Sequence, residues 1–160
     1  MTVVRKFHPE VRLRAMLATP GGITAEQALA AAGAELEVVR DQTMAAVDEK
    51  LDRMSAWLKA SQDDEFDAAV HRLSNDVMNE GGAFGLTELA NAAHSLCVFL
   101  DSGVRTPSRL KIIGVHVDAM RALRQPAVSG DASARAAVQR GLHDVVKRFA
   151  ADDEAAKQRG

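Results

Sequence analysis

Apolar residues in this chain recur at intervals of four, three and four, and this period constrains the fold more than any other feature. Val47, Leu51, Met54 and Leu58 are spaced this way, as are Phe66, Val70, Leu73 and Val77. Leu86, Leu89, Ala93, Leu96 and Leu100 form a third stripe, and Leu110, Ile113, Val117 and Met120 a fourth. Val138, Leu142, Val145 and Phe149 mark a last one. Such spacing lines one face of a helix and asks for other helices to bury it. A strand-rich domain needs more aromatic and β-branched residues, whereas aromatics here are 4%, with one Trp and no Tyr. The pattern predicts an all-α fold, an antiparallel up-and-down four-helix bundle with an extra helix and short connections.

Turn and cap signals divide the chain. A short helix is expected over Pro9–Leu17, ended by the Thr19-Pro20-Gly21-Gly22 break. Thr24-Ala25-Glu26-Gln27 reads as a capping box, in which the Thr hydroxyl and the Gln side chain satisfy orphan amides. Helices are predicted over 28–60, 63–80, 86–102, 107–124 and 131–152. Ser61 or Asp63 is a cap for the second, Gly81 to Gly85 an interruption after it, and Thr106-Pro107 a start signal for the fourth. Pro126 through Gly130 reads as a loop. The first half of the long helix, Ala28 to Ala34, is small and weakly patterned, as expected of a stretch that frays or projects. The expected organisation is an N-terminal segment over 1–23, the bundle over 24–152 and a polar tail over 153–160.

Composition removes several function classes. At 160 residues, 47% hydrophobic and 26% charged, the chain has the size and apolar content of one globular domain. A net charge of -2 lacks the basic excess of a general nucleic-acid binder. The one cysteine, Cys97, has no internal partner, which suits a reducing compartment. No run is long enough for a signal peptide or a membrane span, so a cytoplasmic location is expected. No zinc spacing, Walker loop or dinucleotide fingerprint is present, and neither metal nor cofactor is expected. Asp63-Asp64-Glu65 reads as acidic charge at a helix start, and Asp152-Asp153-Glu154 as a solvated tail.

One segment carries more specific information. It runs Asn75-Asp76-Val77-Met78-Asn79-Glu80-Gly81-Gly82-Ala83-Phe84-Gly85-Leu86-Thr87-Glu88-Leu89-Ala90 and on through His94 to Leu100. It resembles the core of histidine-containing phosphotransfer (HPt) domains, especially the phosphotransfer domain of chemotaxis-type kinases. In that family a His opens the motif, with Lys at plus three, Gly at plus four and further Gly at plus seven and plus ten. Counting back from Gly85 puts the histidine slot at Asn75, with Gly82 at plus seven. Met78 occupies the lysine slot and Asn79 the first glycine slot. The close match covers residues 75–100; helix count and order extend it more loosely over 30–150.

The resemblance implies the fold and a docking face, and argues against the chemistry. Phosphoryl transfer needs an in-line nucleophile and stabilisation of charge on the phosphoryl oxygens. The amide nitrogen of Asn75 has its lone pair delocalised into the carbonyl, and Met78 carries no charge. The expected protein is therefore a pseudo-HPt signalling module that binds a response-regulator receiver domain or a histidine kinase without relaying phosphate. Asn75, Met78, Asn79, Gly82 and Gly85 form its degenerate docking face, with His71 at the edge. At about 100° per residue, His71, Asn75 and Met78 point away from the Phe66–Val77 stripe. Two alternatives stay open. One is a working phosphotransfer protein using His71, which would have Ser74 at plus three and Asn75 at plus four. The other is a helical structural or oligomerisation module, with a homodimer through the long helix. His8, His94, His116 and His143 read as ordinary surface, rim or helix-packing residues, Cys97 as a semi-buried helix residue and Met78 as exposed.

Overall fold

The computed structural model describes residues 21–60, 65–103 and 107–158. Among these residues there are six helices and no strand: α1 (Ala25–Lys59), α2 (Phe66–Ala83), α3 (Thr87–Asp101), α4 (Arg109–Arg124), α5 (Pro126–Ser129) and α6 (Ala132–Lys157). Contacts divide the chain into two compact units, residues 1–38 and 39–160. The division falls inside α1 rather than at its start.

In the first unit, the capping box forms in both directions. The Thr24 amide donates to Gln27 Oε1 at 3.0 Å, and the Gln27 amide donates to Thr24 Oγ1 at 3.2 Å. From Gly21 to Val38 every residue is exposed except the half-buried Ala28. The expected short helix at Pro9–Leu17 lies outside the described residues.

In the second unit, the first four expected stripes supply most of a single core, whereas of the last stripe only Leu142 is buried and Val138, Val145 and Phe149 are half-buried. Met44, Val47, Leu51 and Met54 of α1 join Phe66, Val70, Leu73 and Val77 of α2 there. Leu89, Ala92, Ala93 and Leu96 of α3, Ile113, Val117 and Met120 of α4, and Leu142 of α6 complete it. Each is nine-tenths or more buried, the condition under which a Val, Leu, Ile, Phe or Met side chain contributes its full ~1.5–3 kcal/mol. Helix α2 packs on α3, α3 on α4, and α4 on α6. Ion pairs close the edges: Lys50 Nζ reaches both Glu80 oxygens at 2.6 and 2.8 Å, Arg124 pairs with Asp48 at 2.9 Å, Arg121 with Asp52, and Arg109 with Asp67.

Several boundaries differ from expectation for identifiable reasons. Helix α2 does not stop at residue 80 but continues through Gly81 and Gly82 to Ala83. Gly81 is buried, and a Cβ there would lie 3.3 Å from Leu89 Cδ2, so the missing side chain lets α2 and α3 approach. The break falls at Phe84-Gly85-Leu86. Gly85 has φ +73°, its amide donates to Gly82 O, and the Leu86 amide donates to Gly81 O at 2.8 Å. That pair of bonds is a Schellman motif with Gly85 in the left-handed position.

The expected loop at 126–130 instead contains α5, one turn opened by Pro126 at a position where a missing amide costs nothing. Helix α4 starts at Arg109 rather than 107, and Leu110 is exposed, its place in the buried face taken by Ile112. Asp131 caps α6 through Oδ1, which accepts from the Ser133 amide at 2.7 Å. Helix α6 runs on to Lys157, into the stretch expected as a polar tail. The proposed caps Ser61, Asp63 and Thr106 lie outside the described residues, as does His8.

Candidate functional site

The segment 75–85 occupies the last turns of α2 and the glycine turn after it. Its inward residues are fixed by the core: Val77 is fully buried, and so is Ser74, whose Oγ donates to Val70 O at 2.9 Å. Its outward residues face solvent. Asn75, Asn79 and Gly82 are exposed, and Gly85 is exposed at the turn. A Cβ built on Gly82 meets nothing within 4 Å, so the surface in front of this glycine is open. Met78 departs from expectation. It is half-buried and packs against the core, so only part of its side chain belongs to the outer face.

His71 lies one turn before Asn75 and is half-buried. Its Nε2 is 3.1 Å from Asp101 Oδ1 on α3, and its carbonyl accepts a long contact from Cys97 Sγ at 3.8 Å. The imidazole is thus oriented by a carboxylate that would repel an arriving phosphoryl group. Ser74, plus three from His71, turns into the core rather than toward the imidazole's solvent side. The Cys97 thiol is buried, and burial pushes its pKa up, with the Asp101 carboxylate adding to the effect. A thiol held protonated in this way is a poor nucleophile.

The other histidines divide. His94 and His143 are exposed; His94 is a surface residue rather than the helix-packing residue expected. His116 is the larger correction, since it is fully buried rather than a surface or rim residue. Its Nδ1 lies 2.8 Å from Ile112 O and its Nε2 3.1 Å from Ser95 Oγ on α3, while the ring stacks on Phe99 at 6.5 Å between centroids. Burial lowers its pKa, partly opposed by the bond to Ile112 O, so the ring is held neutral. In that state Nδ1–H donates to Ile112 O and Nε2 accepts from the Ser95 hydroxyl. Its position three residues after Ile113, on the flank of the α4 stripe, was the available sequence signal.

Two clefts lie on the second unit. One, of about 240 Å³, is lined by Phe84, Leu86, Leu89 and Leu123 under a rim of Arg40, Glu88 and Arg135. Glu88 is held below the usual carboxylate range first by its own backbone amide and then by Arg135, whose Nε is 3.1 Å away. The other, of about 320 Å³, is bordered by the Arg121–Asp52 and Arg124–Asp48 pairs. At the first cleft Glu88 and Arg135 are tied to each other, and at the second each arginine is tied to its aspartate. Among the described residues no group of three His, Cys, Asp or Glu side chains could hold a metal ion. No helix among them is long and apolar enough to cross a membrane.

No family model matches the chain, and neither the curated proteins nor the solved structures compared with it give a match. The functional reading therefore rests on the residues of this segment and where they sit.

Proposed function

We propose that this chain is a pseudo-HPt signalling protein, folded as an up-and-down helical bundle, that binds a receiver domain or a histidine kinase without carrying phosphate. The observation that supports this reading is the placement of Asn75. It stands exposed on α2, ten residues before a glycine in the left-handed turn conformation, with Leu86-Thr87-Glu88-Leu89 opening the next helix. The spacing that carries the resemblance thus coincides with a Schellman turn and an outward face. The nucleophile's position on that face holds an amide, and the position of the charge-screening lysine holds the half-buried thioether of Met78.

Binding and transfer are tested separately. A panel of purified receiver domains and kinase cores is titrated by calorimetry with the wild type and with Asn75→Arg. The expected result is one or more partners bound by the wild type and at least about tenfold more weakly by the variant, since an unpaired charge buried at an interface centre costs 2 kcal/mol or more. Incubation with phosphorylated partners is expected to leave the chain unlabelled. Labelling that disappears in His71→Ala would replace the proposal with a working phosphotransfer protein. No binding across the panel, together with a concentration-dependent doubling of mass, would replace it with an oligomerisation module.

A further inference from the structure

The two clefts of the second unit differ in chemistry. The larger is bordered by two arginines and two aspartates paired one to one, and its apolar lining is Leu51 and Pro126. Its charges cancel, and little apolar surface is there to hold a guest. The smaller has four large apolar side chains: Leu89 and Leu123 are buried, Phe84 and Leu86 half-buried. An apolar floor under a few placed polar groups is the usual make-up of a small-molecule site. Its lining brings two guanidinium groups, Arg40 and Arg135, against the single carboxylate of Glu88.

How these charges are engaged selects the ligand. The Glu88 carboxylate is taken up by its own backbone amide and by Arg135 Nε at 3.1 Å. Arg40 is itself engaged, so recognition falls to Arg135. The five N–H groups of that guanidinium are only partly used. Nε donates to Glu88 on α3 and Nη1 to the Ser129 carbonyl on α5 at 2.6 Å, while nothing among the described residues accepts from Nη2. The two bonds hold the group in place, so little freedom is lost when a ligand arrives. Leu86, at the N-cap of α3, supplies no side-chain cap, and the positive end of that helix adds to the attraction for an anion.

Size selects the rest. At about 240 Å³ the cleft is smaller than the roughly 300–1,000 Å³ of drug-sized sites, and at ~30 Å³ per water it matches about eight water-sized atoms. We propose that this cleft binds a small apolar monocarboxylate, its carboxylate on Nη2 of Arg135 and its chain over Phe84, Leu86, Leu89 and Leu123. Hexanoate has this size and charge. The site does not depend on the phosphotransfer resemblance.

Hexanoate, hexan-1-ol and hexylammonium are titrated at neutral pH into the ¹⁵N-labelled full-length chain and followed by amide chemical shifts. Ser129→Phe fills the mouth of the cleft and keeps the carbonyl that holds Arg135. Arg135→Gln removes the anchor but also the link to Glu88, so Ser129→Phe carries the test if the other variant melts early. Saturable shifts at residues 84–89, 123 and 135 are expected with hexanoate. The alcohol, the ammonium and each variant with hexanoate are expected to bind at least about tenfold more weakly, the loss of a charge-assisted anchor or of the space for the chain. No saturable shift up to about 10 mM, where even an inefficient ligand of this size begins to bind, overturns the proposal. So does the alcohol binding as tightly as hexanoate, or Ser129→Phe binding it as tightly as the wild type.

Discussion

The inner and outer sides of α2 are made by the same backbone and obey different rules. Inward, Val70, Leu73, Ser74 and Val77 are buried against α1 and α3, and even the serine is satisfied within its own helix. Outward, Asn75, Asn79 and Gly82 face solvent, with open space in front of the glycine. The inner side is held by volume and hydrogen bonding, so it tolerates little change. The outer side carries no comparable constraint from folding, so exposed Asn75, Asn79 and Gly82 leave the helix intact. What the outer side retains must be explained by what it contacts.

This contrast can be broken by substitution. Leu73→Ala is expected to cost about 3 kcal/mol, the usual loss for emptying a buried leucine site, read as a shift in denaturant midpoint at constant slope. Gly85→Ala is expected to cost about 1–2 kcal/mol, because the left-handed φ of +73° disfavours any side chain. A loss at Gly85 as small as at a surface site would remove the Schellman turn as the element that ends α2.

Acidification probes a second buried polar group. His116 is kept neutral in the folded chain by burial, whereas the unfolded chain takes up a proton near the ordinary pKa of about 6.5. The unfolded state then binds more protons, so stability is full above about pH 6.5 and falls as pH drops below it. His116→Gln is expected to flatten that slope in unfolding curves collected between pH 7.5 and 5. The outer side should respond least. Gly82→Ala is expected to stabilise by about 0.5–1 kcal/mol, since Gly82 sits in a regular helix with room for a Cβ. Asn75→Arg should stay within about 0.5 kcal/mol of the wild type in melting experiments, as surface substitutions do. A large loss there would mean that Asn75 supports the fold and is not simply displayed by it.

How much of this was legible beforehand varies with the range of the interaction responsible. The Thr24–Gln27 box depends on residues three apart, and both its hydrogen bonds form as the sequence implies. The stripe Phe66, Val70, Leu73 and Val77 depends only on helical period, and all four residues are buried. Gly81 and Gly82 misled because their intrinsic preference is to break a helix. At Gly81, contact with Leu89 on α3 outweighs that preference, and nothing local announces it. His116 misled for a related reason: its partner Ser95 lies 21 residues away on another helix. Helical angle alone points Met78 outward, yet its long unbranched side chain, on the border of the face, packs against the core. Of the candidate site, the exposure of Asn75 followed from the period. The link from His71 to Asp101 did not, because it joins two helices.

The turn at Gly85 also bears on how the chain reaches this structure. It joins α2 and α3 through a three-residue connection, so the contacts between these helices, such as Gly81 with Leu89, are close in sequence. Closing so short a loop forfeits little chain entropy, and local contacts of this kind form early on folding pathways. The α2–α3 hairpin is therefore expected to form early in folding. On that basis Gly85→Ala is expected to slow refolding more than it speeds unfolding, as a comparison of the two limbs of a chevron plot would read.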